Sequence, residues 1–391
     1  MPAYVPPAIV MHARHTSVGA LFHARVPAHP DQRAVVDGAR VLSYAELEAR
    51  SNRLANALLA RGLAPGERFA LLARNRLEYL EVELAAAKTG LILAALNWRL
   101  ADRELAHCIN LVEPRVVLAE PGFGAQLDRL DIGDPYRIAL GDDYEAMLAG
   151  AADTYPERDI DPESGLVLLY TSGTTGLPKG ALISHRAMIT RALCMASEMN
   201  MPIGDNFCAW APFYHMASTD TALGTLLRGG TVHVVDGYQP DRLIEVLERE
   251  RMQWFILMPG MVGEFAAIVR ERKVRVKGVG CCGAMADLVP REDIAAASSA
   301  LGAPYINTFG ATETGLPPAT SSLIPVGVAP RSLSKRQSAF CELRLVDPDD
   351  NEVAVGTPGE VALRGPTLFS GYWNATETNA HDFRNGWFHM G

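Results

Sequence analysis

Between Ser43 and Ala119, short apolar runs alternate with amphipathic stretches, and this alternation constrains the fold more than any other feature. Ser43-Tyr-Ala-Glu46 has the spacing of a capping box, with Leu47, Leu54, Leu58 and Leu59 following at helical intervals until Gly62. The pattern then predicts a strand at 69–72, a helix at 77–89 stopped by Gly90, a strand at 91–95, a helix at 101–111 and a strand at 115–119. Such alternation predicts a parallel sheet with helices on its faces, an α/β fold. Residues 131–163 are polar, acidic and rich in turn formers, and are expected to act as a linker.

A second α/β unit is expected beyond the linker. Ser184 is placed to cap a helix starting at His185, with Met188, Ile189, Ala192 and Leu193 on one face. Strands at 231–235 and 255–258 and helices at 240–250 and 261–271 complete it. From Phe340 the pattern changes to short alternating strands, 340–346 and 360–363, separated by turn formers, so a small β-rich lobe closes the chain. The expected divisions are 16–155, 156–315 and 316–391.

The chain has 391 residues, 48% of them apolar, enough for a sizeable core. A net charge of -9 argues against general affinity for nucleic acid or an anionic membrane, while leaving room for a local phosphate site. No apolar run approaches the ~20 residues of a membrane span. The six cysteines are scattered without metal-ligand spacing and read as reduced thiols of a cytoplasmic protein.

One stretch carries the chemistry: Tyr170-Thr-Ser-Gly-Thr-Thr-Gly-Leu-Pro-Lys-Gly180, between two apolar runs expected to be buried strands. Its glycines let backbone N–H groups converge, Thr171, Ser172, Thr174 and Thr175 add hydroxyls, and Lys179 adds positive charge. Together they describe a phosphate cradle. It is not a P-loop, because the residue five after Gly173 is Pro178 and the residue five after Gly176 is Ala181. Gly278-Val-Gly-Cys-Cys-Gly283 spells a dinucleotide fingerprint after an expected strand at 273–277. It lacks an acidic residue at the required distance, and Pro290 interrupts the helix that should follow.

The cradle, Pro212-Phe-Tyr-His215, Asn307-Thr-Phe-Gly-Ala-Thr-Glu-Thr314, Gly371-Tyr-Trp373 and Gly386-Trp-Phe388 occur in the order and spacing of the adenylate-forming superfamily. Within it the chain resembles the acyl- and aryl-CoA synthetases, from about Thr16 onward. The resemblance implies two doubly wound α/β subdomains plus a small distorted β-barrel. It also implies activation of a carboxylic acid by ATP and Mg2+ to an acyl-adenylate, followed by transfer to coenzyme A.

By the same resemblance Thr171, Ser172, Gly173, Thr174, Thr175, Gly176 and Lys179 hold the β- and γ-phosphates, and Glu313 is the Mg2+ ligand. Gly283, Ala284 and Met285 line the adenine and acyl pocket, with Thr308, Phe309, Gly310 and Thr312 also on the nucleotide. Phe309 stands where a tyrosine that packs on adenine is usual, and His215 is expected at the mouth of the acyl pocket. Lys179, Thr171, His215 and Glu313 form the implied catalytic set.

The sequence stops one residue short of the family's ribose-binding aspartate, with Met390 in place of a threonine, and Ser332–Cys341 replaces a Gly/Pro-punctuated turn. The expectation is therefore an N-terminal region, part of a longer enzyme or a truncated natural product, that turns over poorly without the mobile domain and its lysine. Two alternatives stay open: a non-catalytic nucleotide- or acyl-binding module, and an adenylation domain that loads a carrier-protein thiol. The identity of the acid and any homo-oligomeric state are also open.

Overall fold

The structure, a computed structural model, describes residues 16–171, 176–319 and 322–390. A six-stranded sheet runs edge to edge through Tyr136–Ala139, Val116–Ala119, Arg68–Leu72, Ile92–Ala95, Gly165–Thr171 and Lys179–Ser184. The first five strands are parallel and the last is antiparallel to its neighbour. Alternate side chains of these strands enter different cores: Phe69, Leu71, Leu93 and Leu118 the larger one, Ala70, Leu72, Ala94 and Val117 the smaller. Burial on both faces explains why these strands read as unbroken apolar runs.

A second, mixed system contains two four-stranded sheets, each mostly parallel with one antiparallel edge strand. One has the order Arg40–Ser43, Arg33–Asp37, Val232–Val234, Phe207–Ala209, and the other Met252–Phe255, Val279–Cys282, Tyr305–Ile306, Leu323–Ile324. A single parallel bridge between Asn206 and Met252 links them. The third region is an antiparallel sheet of Glu342–Val346, Glu360–Arg364 and Phe388–His389.

Sheet membership does not follow the linear division near residue 155. Arg33–Asp37 pairs with Val232–Val234 in the second system, while Gly165–Thr171 and Lys179–Ser184 complete the first. The chain therefore crosses between layers more than once.

Local chemistry explains the element boundaries. Ser43 and Glu46 form the anticipated capping box on helix Tyr44–Ala60, and Gly90 ends helix Glu78–Thr89 in a left-handed conformation at φ 72°. The Ser184 hydroxyl accepts from Ala187 N at the start of helix His185–Glu198.

Four expectations need correction, the first being the strand expected at 255–258, which lies at Met252–Phe255. Residues 131–163 hold strand Tyr136–Ala139 and helix Asp142–Ala149. Leu193 is 56% exposed and does not share the buried face of its helix. The strand expected at 273–277 lies at Val279–Cys282, inside the glycine pattern itself. There a Cβ on Gly280 would sit 2.5 Å from Gln253 O, and one on Gly283 would overlap the Tyr305 ring. These glycines serve close packing between strands. Among the described residues, no helix is long and apolar enough to cross a membrane. All six cysteines are buried.

Candidate functional site

The residues singled out in the sequence converge on one cavity of about 1100 Å³. Thr171, Lys179, His215, Ala284, Met285, Thr308, Phe309, Gly310, Thr312 and Glu313 all line it. Gly176 and Gly283 do not, although both take left-handed backbone, at φ 92° and 81°. Ser172, Gly173, Thr174 and Thr175 lie outside the described residues.

The hairpin Gly165–Thr171/Lys179–Ser184 brings Thr171 opposite Lys179. It is anchored from behind: Tyr170 OH donates to Cys108 O at 2.9 Å, and His107 Nε2 lies 3.1 Å from Pro178 O. Residues 370–373 run along its outer edge, with Leu182 N donating to Gly371 O and Trp373 N to Gly180 O. That pairing carries the Tyr372 ring under Lys179, whose Nζ stands 4.0 Å from the ring centroid. The Tyr372 hydroxyl donates to Glu313 Oε1 at 2.7 Å. Burial, then the neighbouring Glu313 charge, raises the Tyr372 phenol above its usual range, so the ring stays protonated and remains a donor.

Glu313 sits between strands Phe309–Ala311 and Gly315–Ala319, in a turn tied down from several sides. Glu313 O accepts from Phe369 N at 2.8 Å, and Thr312 O accepts from Arg191 Nη2 at 2.9 Å. Arg191 is itself buried, with Nε on Thr367 O at 3.0 Å and Nη1 on Asp220 Oδ2 at 3.1 Å. Phe309, 41% exposed, lines the same cavity.

His215, also lining the cavity, caps helix Met216–Leu227, with Nδ1 accepting from Ala217 N at 3.2 Å. That bond assigns the neutral tautomer with the proton on Nε2. The surrounding protein mass pushes the imidazole below its usual range, in agreement with a neutral ring, although the side chain opens onto the cavity. Ala284 is fixed by Tyr305, whose hydroxyl donates to Ala284 O at 3.0 Å, and Trp254 Nε1 donates to Gly283 O at 2.8 Å.

The donor set suits a hard cation only in part. No group of three or more His, Cys, Asp or Glu side chains able to hold a metal occurs among the described residues. A single carboxylate, Glu313, fits Mg2+ because that ion is usually held by one or two carboxylates together with substrate phosphates.

Sequence reading missed several lining residues. Tyr372 was visible as part of Gly371-Tyr-Trp373 without a role. Arg191 and Asp220 gave no signal, because their partners lie far away in the chain. Lys335, in the unusual Ser332–Cys341 segment, lines the cavity beside Asp287, whose Oδ2 it reaches at 2.6 Å, and also donates to Asn307 Oδ1 at 2.7 Å.

Comparison with known proteins gives a consistent picture. Residues 22–373 match the family model described as AMP-binding enzyme. A feruloyl-CoA synthase of Amycolatopsis is 32% identical over 383 residues, 97% of this chain and 76% of that protein. An indoleacetate–CoA ligase of Aromatoleum aromaticum is 30% identical over 379 residues, 93% of this chain and 72% of the ligase. The crystal structure of ATP-bound MatB from Rhodopseudomonas palustris superposes with a TM-score of 0.82 at 25% identity, covering 96% of this chain and 75% of MatB.

Proposed function

The chain belongs to the AMP-binding enzymes, as an AMP-forming acid–thiol ligase, and we propose that it joins a carboxylic acid to coenzyme A through an acyl-adenylate made in this cavity. The observation that carries the reading is the linked set Lys179, Tyr372 and Glu313, which lines one pocket together with His215.

Two anions must meet for the first step. A carboxylate oxygen attacks the α-phosphorus of ATP, the bond to the β-phosphate oxygen breaks, and pyrophosphate leaves with the negative charge. In the second step the coenzyme A sulfur attacks the acyl carbon, the acyl C–O bond to the phosphate breaks, AMP leaves with that electron pair, and the thiol proton passes to solvent. Lys179 and the hydroxyl-rich loop neutralise the departing pyrophosphate. Mg2+ bound with the triphosphate adds charge neutralisation, and Glu313 is the residue that would hold it. Phe309 offers its ring to adenine, without the phenol that the family's usual tyrosine has there. His215, neutral and protonated on Nε2, donates to the substrate carboxylate and aims it at phosphorus.

Acid-dependent exchange of labelled pyrophosphate into ATP tests this directly. An acid panel of fatty, arylpropenoic and hydroxybenzoic compounds should give exchange with at least one class. Lys179→Ala should weaken ATP and pyrophosphate binding by at least about tenfold, the scale of one charge-assisted contact. An unchanged nucleotide titration would remove Lys179 from the phosphate grip.

A further inference from the structure

A short strap of chain, residues 332–336, stands between the cavity and a second hollow. Leu333 and Lys335 line the cavity, while Ser332, Ser334 and Arg336 line an outer cleft of about 580 Å³. The strap is thus a wall one residue thick. Lys335 is the one residue, among the described residues, common to the linings of both spaces. Its side chain is only 17% exposed, so its stem fills the place where the two spaces would join.

The Lys335 head is fixed. An ammonium carries three protons, and this one has three acceptors: Asp287 Oδ2 at 2.6 Å, Asn307 Oδ1 at 2.7 Å and Leu333 O at 3.2 Å. Asn307 also holds the strap itself, donating through Nδ2 to Leu333 O at 3.3 Å and to Ser334 O at 3.1 Å. With its protons used, the ammonium has none left to recruit a substrate carboxylate, which separates its role from that of Lys179. The lining on either side is apolar. Met285 and Leu288 accompany Asp287 in the cavity, and Leu323, Ile324, Pro325 and Val328 line the cleft. A hydrocarbon chain suits both spaces, and the tethered lysine lies between them.

Resting on the reading that an acid is activated in this cavity, we propose that Lys335 is a specificity-determining plug. It ends the space open to the acid's apolar body, so that acids ending short of Lys335 are accepted and longer chains are excluded. A longer chain passes only by pulling the ammonium off Asp287 and Asn307, which leaves polar and charged groups unpaired against hydrocarbon. Removing the stem joins the cavity to the cleft.

Calorimetric titration of the full chain, with Mg2+ and a non-hydrolysable ATP analogue present, measures affinity along two series of increasing length, straight-chain acids and ω-phenyl acids. In the wild-type protein affinity should rise with length and then break off. In Lys335→Ala, and equally in Lys335→Ser, the break should move out by about four carbons, the length of the lost stem. The first acid beyond the wild-type limit should then bind about tenfold or more tightly than it does to the wild type. Lys335→Met, which keeps most of the bulk, should leave the break near its wild-type place. The break is read within each protein, so a general loss of folding lowers all affinities without moving it. A wild-type series without a break, a break that stays put in both small-residue variants, the same outward shift in Lys335→Met, or no binding of any acid would overturn the proposal. Hydroxylamine trapping of acyl-adenylate separates it from the reading it rests on. Acids that bind and yield no hydroxamate remove adenylation and leave the plug standing, whereas hydroxamate formed with an unmoved break removes the plug alone.

Discussion

Tyr372 couples the two charged groups on which the phosphate chemistry turns. Its ring face receives the Lys179 ammonium and its hydroxyl fixes one oxygen of Glu313, so a shift of either charge is opposed through one rigid side chain. Tyr372→Phe separates these roles, because the ring under Lys179 survives and the bond to Glu313 is lost. The expected result is an about ten- to hundredfold fall in adenylate formation, the scale of one hydrogen bond to a charged group, with a raised Mg2+ requirement and an unchanged urea midpoint. Mg2+ titration of pyrophosphate exchange reads this, and an unchanged Mg2+ dependence would show that Tyr372 does not orient Glu313. At this scale the sequence was most informative where chemistry is local. Lys179, His215, Phe309 and Glu313 lie in short motifs and reach the same cavity. Tyr372 and Glu313 lie 59 positions apart, and nothing within either motif announces their bond.

The helix His185–Glu198 joins three parts of the molecule through Arg191. One guanidinium ties the helix Met216–Leu227 at Asp220, the Glu313 turn at Thr312 O and the C-terminal region at Thr367 O. Arg191→Ala leaves the Asp220 carboxylate buried without its partner and frees two carbonyls. The expected loss is about 3–5 kcal/mol in urea unfolding, the range for one partner removed from a buried ion pair. Adding Asp220→Asn should restore part of it, since the unpaired charge disappears. If the double variant is no better than the single, the cost lies in the backbone contacts and not in the charge.

Elements were legible where amphipathic pattern or caps were strong, as at Ser43–Glu46 and Ser184. They were illegible where the helix is buried almost all round. Met216–Leu227 is buried along nearly its whole length and contains Ser and Thr at four positions, so it shows no apolar stripe. Strand Tyr136–Ala139 is an edge strand with two exposed positions, and helix Asp142–Ala149 opens with acidic residues, which together imitate a linker.

The whole molecule is stitched across layers by contacts that single-segment patterns cannot contain, and its titration follows from them. His185, from the helix after the cradle hairpin, accepts from Val18 N through Nδ1 across 167 positions of sequence. His233 lies in the central strand of the second system, next to Arg33–Asp37. Burial lowers both imidazoles from 6.5 to about 4. Each ring is thus neutral when folded and protonated when unfolded between those values, so the unfolded state binds more protons and stability falls as pH drops from 6.5 toward 4. Other groups act in or below this window. Glu78, lowered to about 2 because its hydrogen bonds to Arg76 and Arg40 outweigh the opposing effect of burial, loses its contribution only below the ordinary Glu value of 4.5. Glu83 and Asp220, raised by burial, act with the opposite sign. The informative quantity is therefore a difference in slope. Between pH 6.5 and 4.5, His185→Gln should reduce the fall in unfolding free energy by about 1.4 kcal/mol per pH unit, one proton's worth. Urea titrations of both proteins at half-unit steps measure it. Parallel curves would mean that His185 is not held neutral by the N-terminal helix and that acid sensitivity arises elsewhere.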